Sequence, residues 1–351
     1  MTGLLPRFTG LADWLADQTG ADALTIDSIT KMAGGAIQEN WHLEVTISGG
    51  RLDGAGALVL RTDAPSSVGE SHGRTAEYAL LQAAFAAGVA VARPHLLAPG
   101  RDVIGTPFFI MDHRPGQGQA RKIVRDPALP EYGDALAAAL GREMARIHSI
   151  GTCDESLSFL PLSRDNAAEA QIADSRAALD ALDSGQPVTE YALNWLEDRL
   201  DEWRCDRPRV LCHRDFRTGN YLVEKGRLTA VLDWEFAGWS DPAEDIGWLC
   251  ARCWRFGNDE QLVGGIAGFA AFRKAYEAEA GRAIDLRAVM YWQVIAEIRW
   301  AIISRQQEQR ALSGGETSLE LALSGYLTAE MECNMLDLIT AIEAGATEGP
   351  L

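Results

Sequence analysis

Apolar residues in the first third of the chain recur mainly with the two-residue period of β-strands. They alternate with polar residues at Trp41, Leu43, Val45 and Ile47, which predicts a strand with one buried face. Further strands are predicted over 24–29, 57–60, 89–97 and 107–111. Helical spacing occurs in a short leading segment around Leu11 and again over 71–87. The pattern therefore predicts five strands and a helix before the chain loses its apolar character at Asp112.

Beyond Asp112 the apolar positions change to helical spacing. Helices are predicted over 136–150, 163–182, 188–203, 264–278, 288–304 and 318–344. Short apolar runs between residues 210 and 232 instead indicate strands, with Lys225-Gly226 as a two-residue hairpin turn. Asp241 followed by Pro242 predicts one more helix, because Asp caps free amides and Pro lacks an N–H. This second segment is therefore predicted to be mainly helical.

Polar side chains that suit phosphoryl-transfer chemistry concentrate around the predicted hairpin. Asp215 offers a carboxylate that can accept or orient a hydroxyl group. The hairpin is expected to fold Asp233 back towards Asn220, and carboxylate and amide oxygens are the hard ligands that suit Mg²⁺ on nucleotide phosphates. The spacing H-R-D-x-x-x-x-N followed by D-W-E matches the pattern of kinase catalytic loops.

These motifs resemble those of the aminoglycoside phosphotransferase and choline kinase-like family. Within it, the chain is most similar to a bacterial phosphotransferase group related to the kinase-like domain of some acyl-CoA dehydrogenases. The resemblance implies an α+β, bilobal, protein-kinase-like fold. Residues 1–112 would form an N-terminal nucleotide-binding lobe with a five-stranded antiparallel sheet and a helix. Residues 113–351 would form a mainly helical lobe for catalysis and acceptor binding.

The resemblance also implies roles for the residues of the catalytic segment. Asp215 would orient the acceptor hydroxyl while the γ-phosphoryl group is transferred. Asn220 and Asp233 would hold Mg²⁺, with Glu235 as an additional candidate ligand. Two further residues, His213 and Asp245, would support the loop structurally. The chain departs from the family at residue 214, where Arg replaces the usual Gly.

Residues of the first segment would bind the nucleotide. Gly34 and Gly35 form a turn without side chains that can approach phosphate, as in the family's nucleotide-binding loop. Arg61 lies where the kinase template has a Lys, and its guanidinium offers a permanent charge and a bidentate fork for phosphate. Glu77 on the following helix is the candidate ion-pair partner of Arg61. The backbone of Met111 to His113 would be the hinge that contacts adenine.

The composition of the chain limits the kinds of binding partner and the cellular compartment that we expect. The formal net charge of −18 disfavours binding to nucleic acid and to anionic membranes. It would suit a cationic acceptor such as an aminoglycoside, although such acidity is also common in soluble enzymes. Apolar runs fall short of the roughly 18 residues of a membrane span, and the first twenty residues lack the pattern of a secretory signal. These features predict a cytoplasmic protein.

The sequence thus predicts an ATP-dependent phosphotransferase that uses ATP and Mg²⁺ and acts on a hydroxyl group of a small molecule. A monomer or a homodimer is expected. Two alternatives stay open: a nucleotide-binding pseudokinase without turnover, which the Arg at position 61 favours, and a kinase of hydroxyacyl-CoA-type acceptors instead of antibiotics. A protein kinase is disfavoured because no activation segment with an A-P-E-like end follows Asp233.

Overall fold

The chain forms two compact units, each contributed by two segments. The computed structural model describes residues 6–32, 38–63, 72–163, 166–182, 185–204, 208–313, 319–346 and 350. The first unit comprises Met1–Gly116 and Thr229–Phe236, and the second comprises Gln117–Leu228 and Ala237–Leu351. The first unit therefore includes a short segment from the sequence after the hairpin turn. The roles predicted for residues 1–112 and 113–351 stay predictions.

The first unit is built on one antiparallel sheet. Its strands are β1 (Ala23–Lys31), β2 (Gln38–Ser48), β3 (Ala57–Asp63), β4 (Pro94–Ala98) and β5 (Phe108–Asp112). The strand order is β1-β2-β3-β5-β4, and every neighbouring pair is antiparallel. The predicted five-stranded antiparallel sheet is therefore confirmed.

Helices cover the sheet of the first unit. Trp41, Leu43, Val45 and Ile47 of β2 are all buried, as their alternation predicts. They belong to a core that also includes Leu11 and Leu15 of helix α1 (Leu11–Thr19). Helix α2 (Arg74–Ala86) packs Tyr78 against Phe109 of β5, with ring centroids 5.9 Å apart. The sheet thus fixes the backbone of β3, on which Arg61 lies.

The second unit is mainly helical. Its helices are α3 (Ala120–Val124), α4 (Leu129–Ile147), α5 (Ala167–Asp180), α6 (Pro187–Asp198), α7 (Leu200–Trp203), α8 (Pro242–Cys250), α9 (Phe269–Ala280), α10 (Leu286–Leu312), α11 (Leu319–Ser324) and α12 (Thr328–Glu343). Short strands flank the candidate catalytic loop: β6 (Val210–Cys212) pairs with β9 (Gly238–Ser240), and β7 (Tyr221–Glu224) pairs with β8 (Arg227–Val231). No helix within the described residues is long and apolar enough to cross a membrane.

Close backbone approach and helix capping position the elements around the candidate catalytic loop. A Cβ at Gly141 of α4 would lie 2.5 Å from the carbonyl oxygen of Phe272, so glycine allows α9 to pack directly on α4. Helix α8 begins at Pro242 after an Asp241 cap, whose carboxylate accepts a hydrogen bond from the Ala243 amide. The predicted start of this helix is confirmed.

Several helix predictions were wrong in their extent, and three of them have a specific backbone cause. The helix expected over 188–203 is divided at Arg199, which has non-helical backbone angles. The helix expected from Gly264 begins at Phe269, because Gly264 and Gly265 adopt positive φ angles of +56° and +77°. The long last helix is divided by a 3₁₀ turn over Gly325–Leu327.

Candidate active site

Arg61 on β3 is the central cation of a buried polar cluster in the first unit. Its Nη2 atom lies 2.7 Å from Oε1 of Glu77 and 3.0 Å from Oδ1 of Asp233. Its Nη1 atom donates a longer hydrogen bond, of 3.3 Å, to Asn40 on the neighbouring strand. Burial disfavours the charged guanidinium, but the negative charges of Glu77 and Asp233 outweigh burial and raise the pKa of Arg61. The structure thus brings three of the predicted residues together.

A second buried arginine shares Glu77 with Arg61. Arg74, in the first turn of α2, donates to Oε2 of Glu77, while its Nε lies 3.0 Å from Oδ1 of Asp63. Both oxygens of the Glu77 carboxylate are therefore occupied, one by each arginine. Sequence reasoning missed Arg74, although its position three residues before Glu77 on a helix places the two side chains on one face.

The segment after β8 contributes Asp233 and Glu235 to the same cluster. Asp233 adopts a left-handed φ of +59°. Its side chain is 37% exposed, so its carboxylate combines an ion pair to Arg61 with access to solvent. Gln38 donates a hydrogen bond to Oε2 of Glu235, and the His72 amide donates to the Glu235 carbonyl at 2.9 Å. Burial, together with the charge of Asp233, raises the pKa of Glu235 to about 7.

Asp215, in the loop after β6, has hydrogen bonds on both carboxylate oxygens. Oδ1 accepts from Nε of Arg217 at 3.1 Å and from the indole Nε1 of Trp248 at 3.0 Å. Oδ2 accepts from Nδ2 of Asn220, which also donates to the Asp215 carbonyl. These donors fix the plane of the Asp215 carboxylate. Because the Asn220 side-chain nitrogen donates to Asp215, the amide oxygen is the atom that Asn220 can offer to a cation.

Asp245 holds the backbone that precedes Asp215. Its two oxygens accept from the amides of His213 and Arg214, each at 2.7 Å. His148 contacts the same carboxylate at 3.1 Å and is itself hydrogen bonded to Tyr276. Burial alone would raise the pKa of Asp245, but the hydrogen bond and charge of His148 and the His213 contacts lower it. Asp245 is therefore an ionised brace for the loop.

The buried cluster of Asp245 has the residue types of a metal site. His148, Cys212 and Asp245 place ligand-type atoms within 4.8 Å of one another. However, Asp245 already accepts two backbone amides, and the Cys212 thiol donates to the Asp241 carbonyl at 3.3 Å. These contacts favour a structural network.

Arg214, the residue that departs from the family pattern, adopts a left-handed φ of +62°. Its Nε donates to Glu244 at 3.0 Å and its Nη2 donates to Gln171 at 3.1 Å. Arg299 on α10 also donates to Glu244, at 2.9 Å, and to the Arg214 carbonyl. Side-chain contacts thus hold a conformation that glycine would adopt without strain. Glu244, Gln171 and Arg299 had no role in the sequence-based prediction.

Several tryptophan rings lie near Asp215 in the second unit. The Trp248 ring lies under the guanidinium of Arg299 at 4.5 Å, and the Trp254 ring lies under that of Arg217 at the same distance. Trp254 also packs against Trp248 and Trp300. Eight of the ten tryptophans follow residue 190, but their spacing does not indicate which indole contacts Asp215.

The other residues predicted to bind nucleotide lie on or beside the sheet. Met111 is on β5, opposite Val59 of β3 and Pro94 of β4. His113 follows the strand, and its ring packs against that of His42 at 4.6 Å. Gly34 and Gly35 lie outside the described residues. Their contacts with a nucleotide stay predictions.

A family model and known proteins match this chain. The model of the phosphotransferase enzyme family matches residues 28–291, which is more than half of the chain. The chain belongs to the phosphotransferase enzyme family. Acyl-CoA dehydrogenase family member 10 of Mus musculus is 30% identical over 200 residues, covering 55% of this chain and 18% of that protein. Family member 11 of the same species is 26% identical over 251 residues, covering 66% of this chain and 28% of that protein. The chain therefore spans under a third of the length of these relatives.

Solved structures with the same fold include several small-molecule kinases. A Ralstonia eutropha protein classed by name with the aminoglycoside phosphotransferases has a TM-score of 0.73 at 20% identity, covering 94% of this chain and 97% of that one. A choline/ethanolamine kinase family protein of Mesorhizobium loti has a TM-score of 0.58 at 16% identity, covering 91% of this chain and 93% of that one. Aminoglycoside phosphotransferase APH(4)-Ia, solved with ADP and hygromycin B, has a TM-score of 0.56 at 16% identity, covering 97% of this chain and 100% of that one. The predicted kinase-like α+β fold is confirmed.

Proposed function

We propose that this protein transfers the γ-phosphoryl group of ATP to a hydroxyl group of a small molecule. The observation that carries the proposal is the carboxylate of Asp215, which three donors hold on the loop of an H-R-D-x-x-x-x-N motif. Such a carboxylate can accept the hydrogen bond of an acceptor hydroxyl and orient its oxygen for attack. Phosphoryl transfer has a loose transition state, so positioning and charge neutralisation provide most of the catalysis.

The donor atoms of the remaining residues fit Mg²⁺ and a nucleotide. In this proposal Asn220 and Asp233 supply oxygen ligands, and Glu235 supplies an additional one, as hard oxygen donors suit Mg²⁺. When bound, the ion neutralises charge on the nucleotide phosphates. The buried Nε of Arg61 has no hydrogen-bond partner among the described residues, which supports its role as a phosphate contact. Glu77 orients Arg61, while Gly34, Gly35 and the Met111–His113 backbone bind the rest of the nucleotide.

The surroundings of Asp215 favour an acceptor that is not a polycation. Its carboxylate accepts from the cationic Arg217 and from the indole of Trp248, so a cation already lies beside it. The nearby Glu244 is already neutralised by Arg214 and Arg299. An aminoglycoside would need several available carboxylates at this place. An apolar alcohol or a hydroxyacyl thioester fits the indoles and arginines better, and it accords with the names of the acyl-CoA dehydrogenase relatives.

An acceptor screen that measures ADP release tests the proposal. The panel should compare hydroxyacyl-CoA thioesters, simple hydroxy acids, choline and aminoglycosides, each with MgATP. We expect acceptor-dependent ADP release that disappears in Asp215→Asn. Acceptor-dependent turnover at the wild-type rate in that variant would disprove the role of Asp215.

A pseudokinase is the second candidate function. Arg61 in place of the usual Lys, and its ion pair with Asp233, are the observations that favour it. Thermal-shift measurements with ATP, with and without Mg²⁺, separate binding from turnover. Stabilisation by MgATP without ADP release for any acceptor would favour the pseudokinase.

A further inference from the structure

The indole of Trp248 makes a specific hydrogen bond that packing alone does not require. Trp248 is buried on α8, and its Nε1 donates to Oδ1 of Asp215 at 3.0 Å. Two other buried indoles, those of Trp254 and Trp292, have Nε1 atoms without a hydrogen-bond partner among the described residues. The fold therefore tolerates unpaired indole N–H groups, and the contact with Asp215 is a particular feature of Trp248.

The ring of Trp248 is held from two sides and by its helix. Arg299 lies 4.5 Å above the ring, and Trp254 packs against it with centroids 5.2 Å apart. The preceding Gly247 lets α8 approach α10 closely, because a Cβ there would lie 2.8 Å from the backbone of Trp292. Trp248 thus presents its N–H from a rigid position.

The two donors to Oδ1 of Asp215 differ in rigidity. Arg217 has a long side chain that is 27% exposed, and although it lies over the Trp254 ring, it has more rotamer freedom than a buried indole. Trp248 is a buried, two-torsion side chain that cannot move in the same way. We propose that Trp248 is a positioning residue, which fixes the Asp215 carboxylate in the plane that receives the acceptor hydroxyl. This role rests on the proposed phosphotransfer to a hydroxyl group.

Two conservative variants test the role in kinetics. Trp248→Phe removes the N–H but retains an aromatic ring, whereas Trp292→Phe removes a buried indole N–H that has no partner. We expect Trp248→Phe to lower kcat about 10- to 100-fold, the cost of a slightly misplaced reacting group, with the KM for MgATP within about twofold. Trp292→Phe should retain kcat within about threefold. An equal loss of kcat in both variants would show that Trp248 is only a packing residue and would overturn the proposal.

A spectroscopic measurement tests the contact without any turnover. In a ¹⁵N–¹H spectrum, the indole peak of Trp248 is identified by its loss in Trp248→Phe. We expect that peak to shift in Asp215→Ala, while the peak of Trp292 keeps its position. An unchanged Trp248 peak would contradict the contact and overturn the proposal. If the wild type shows no turnover with any acceptor, the proposed function and with it the positioning role fail, while a shifted peak still establishes the hydrogen bond.

Discussion

The guanidinium of Arg61 forms an ion pair with the carboxylate of Asp233, with Nη2 3.0 Å from Oδ1. The same carboxylate is the proposed ligand of Mg²⁺. In the proposed function Arg61 contacts phosphate, so this ion pair joins the phosphate-binding cation to the proposed metal-binding carboxylate. We expect MgATP to compete with the ion pair for both side chains.

Replacing Arg61 tests its contribution to nucleotide binding. Arg61→Met removes a charge-assisted contact, so we expect the KM for MgATP to rise about tenfold or more, since such contacts are worth about 1.5–3 kcal/mol. Arg61→Lys restores a cation and should recover much of this loss. The measurement is steady-state ADP release at varied MgATP. An unchanged KM in Arg61→Met would exclude a phosphate contact.

Removing either candidate catalytic carboxylate should abolish transfer and retain the fold. Asp215→Asn loses the orienting carboxylate and Asp233→Asn weakens the proposed Mg²⁺ site, so we expect kcat to fall at least about 10³-fold in each. Circular dichroism and melting temperature should stay close to wild type, as in the surface control Asp13→Asn. Mg²⁺-dependent nucleotide binding should weaken in Asp233→Asn but persist in Asp215→Asn. Equal binding in both variants would contradict the division of roles.

Two variants of Arg214 separate backbone strain from side-chain contacts. Arg214→Gly loses the contacts with Glu244 and Gln171 but relieves the left-handed backbone, so we expect a net loss of about 1–2 kcal/mol in the free energy of unfolding. Arg214→Ala loses the same contacts and retains the strain, which should cost about 1 kcal/mol more. Urea denaturation measures both. An alanine variant as stable as the glycine variant would show that the positive φ is not strained.

Glu297 should make stability depend on pH. It is buried on α10, where Asn334 and the Cys253 amide donate to it, and burial raises its pKa to about 7. The folded protein then binds more protons than the unfolded chain between about pH 4.5 and 7, so this group's contribution to stability is present at low pH and is lost as the pH rises.

The variant Glu297→Gln isolates that contribution because other titrating groups cancel in the comparison with wild type. As the pH rises from 5 to 8, the wild type should lose stability relative to Glu297→Gln. We expect the difference between their free energies of unfolding to change by up to about 3 kcal/mol in favour of the variant. The surface control Glu330→Gln should show no such trend. Parallel pH profiles for wild type and Glu297→Gln would contradict the raised pKa.

Local sequence patterns predicted much of the fold and part of the candidate site. The alternation around Trp41 predicted a buried strand, and the motif spacing identified Asp215 and Asn220 as neighbours on one loop. Each of these two signals comes from residues that are close together in the sequence. Arg61 and Glu77 were paired by analogy with kinases, and the structure brings their side chains together.

Contacts between distant segments could not be predicted in this way. Arg299 reaches Glu244 across 55 residues, and Trp248 reaches Asp215 across 33. No local periodicity marks such a partner, because many buried arginines and tryptophans share the same pattern. Residues 264–268 were predicted as helix on their apolar content, but left-handed glycines prevent it.

The segment Thr229–Phe236 has a consequence for the biogenesis of the first unit. Its Val231 amide donates to the Ala90 carbonyl at 2.7 Å, and its Asp233 neutralises Arg61. A ribosome must synthesise residues 117–228 before this segment becomes available. Until then Arg61 has Glu77 but not Asp233 as an ion-pair partner. A fragment that stops at residue 116 should therefore be less stable than the complete first unit, and it should gain stability when the missing octapeptide is supplied in trans.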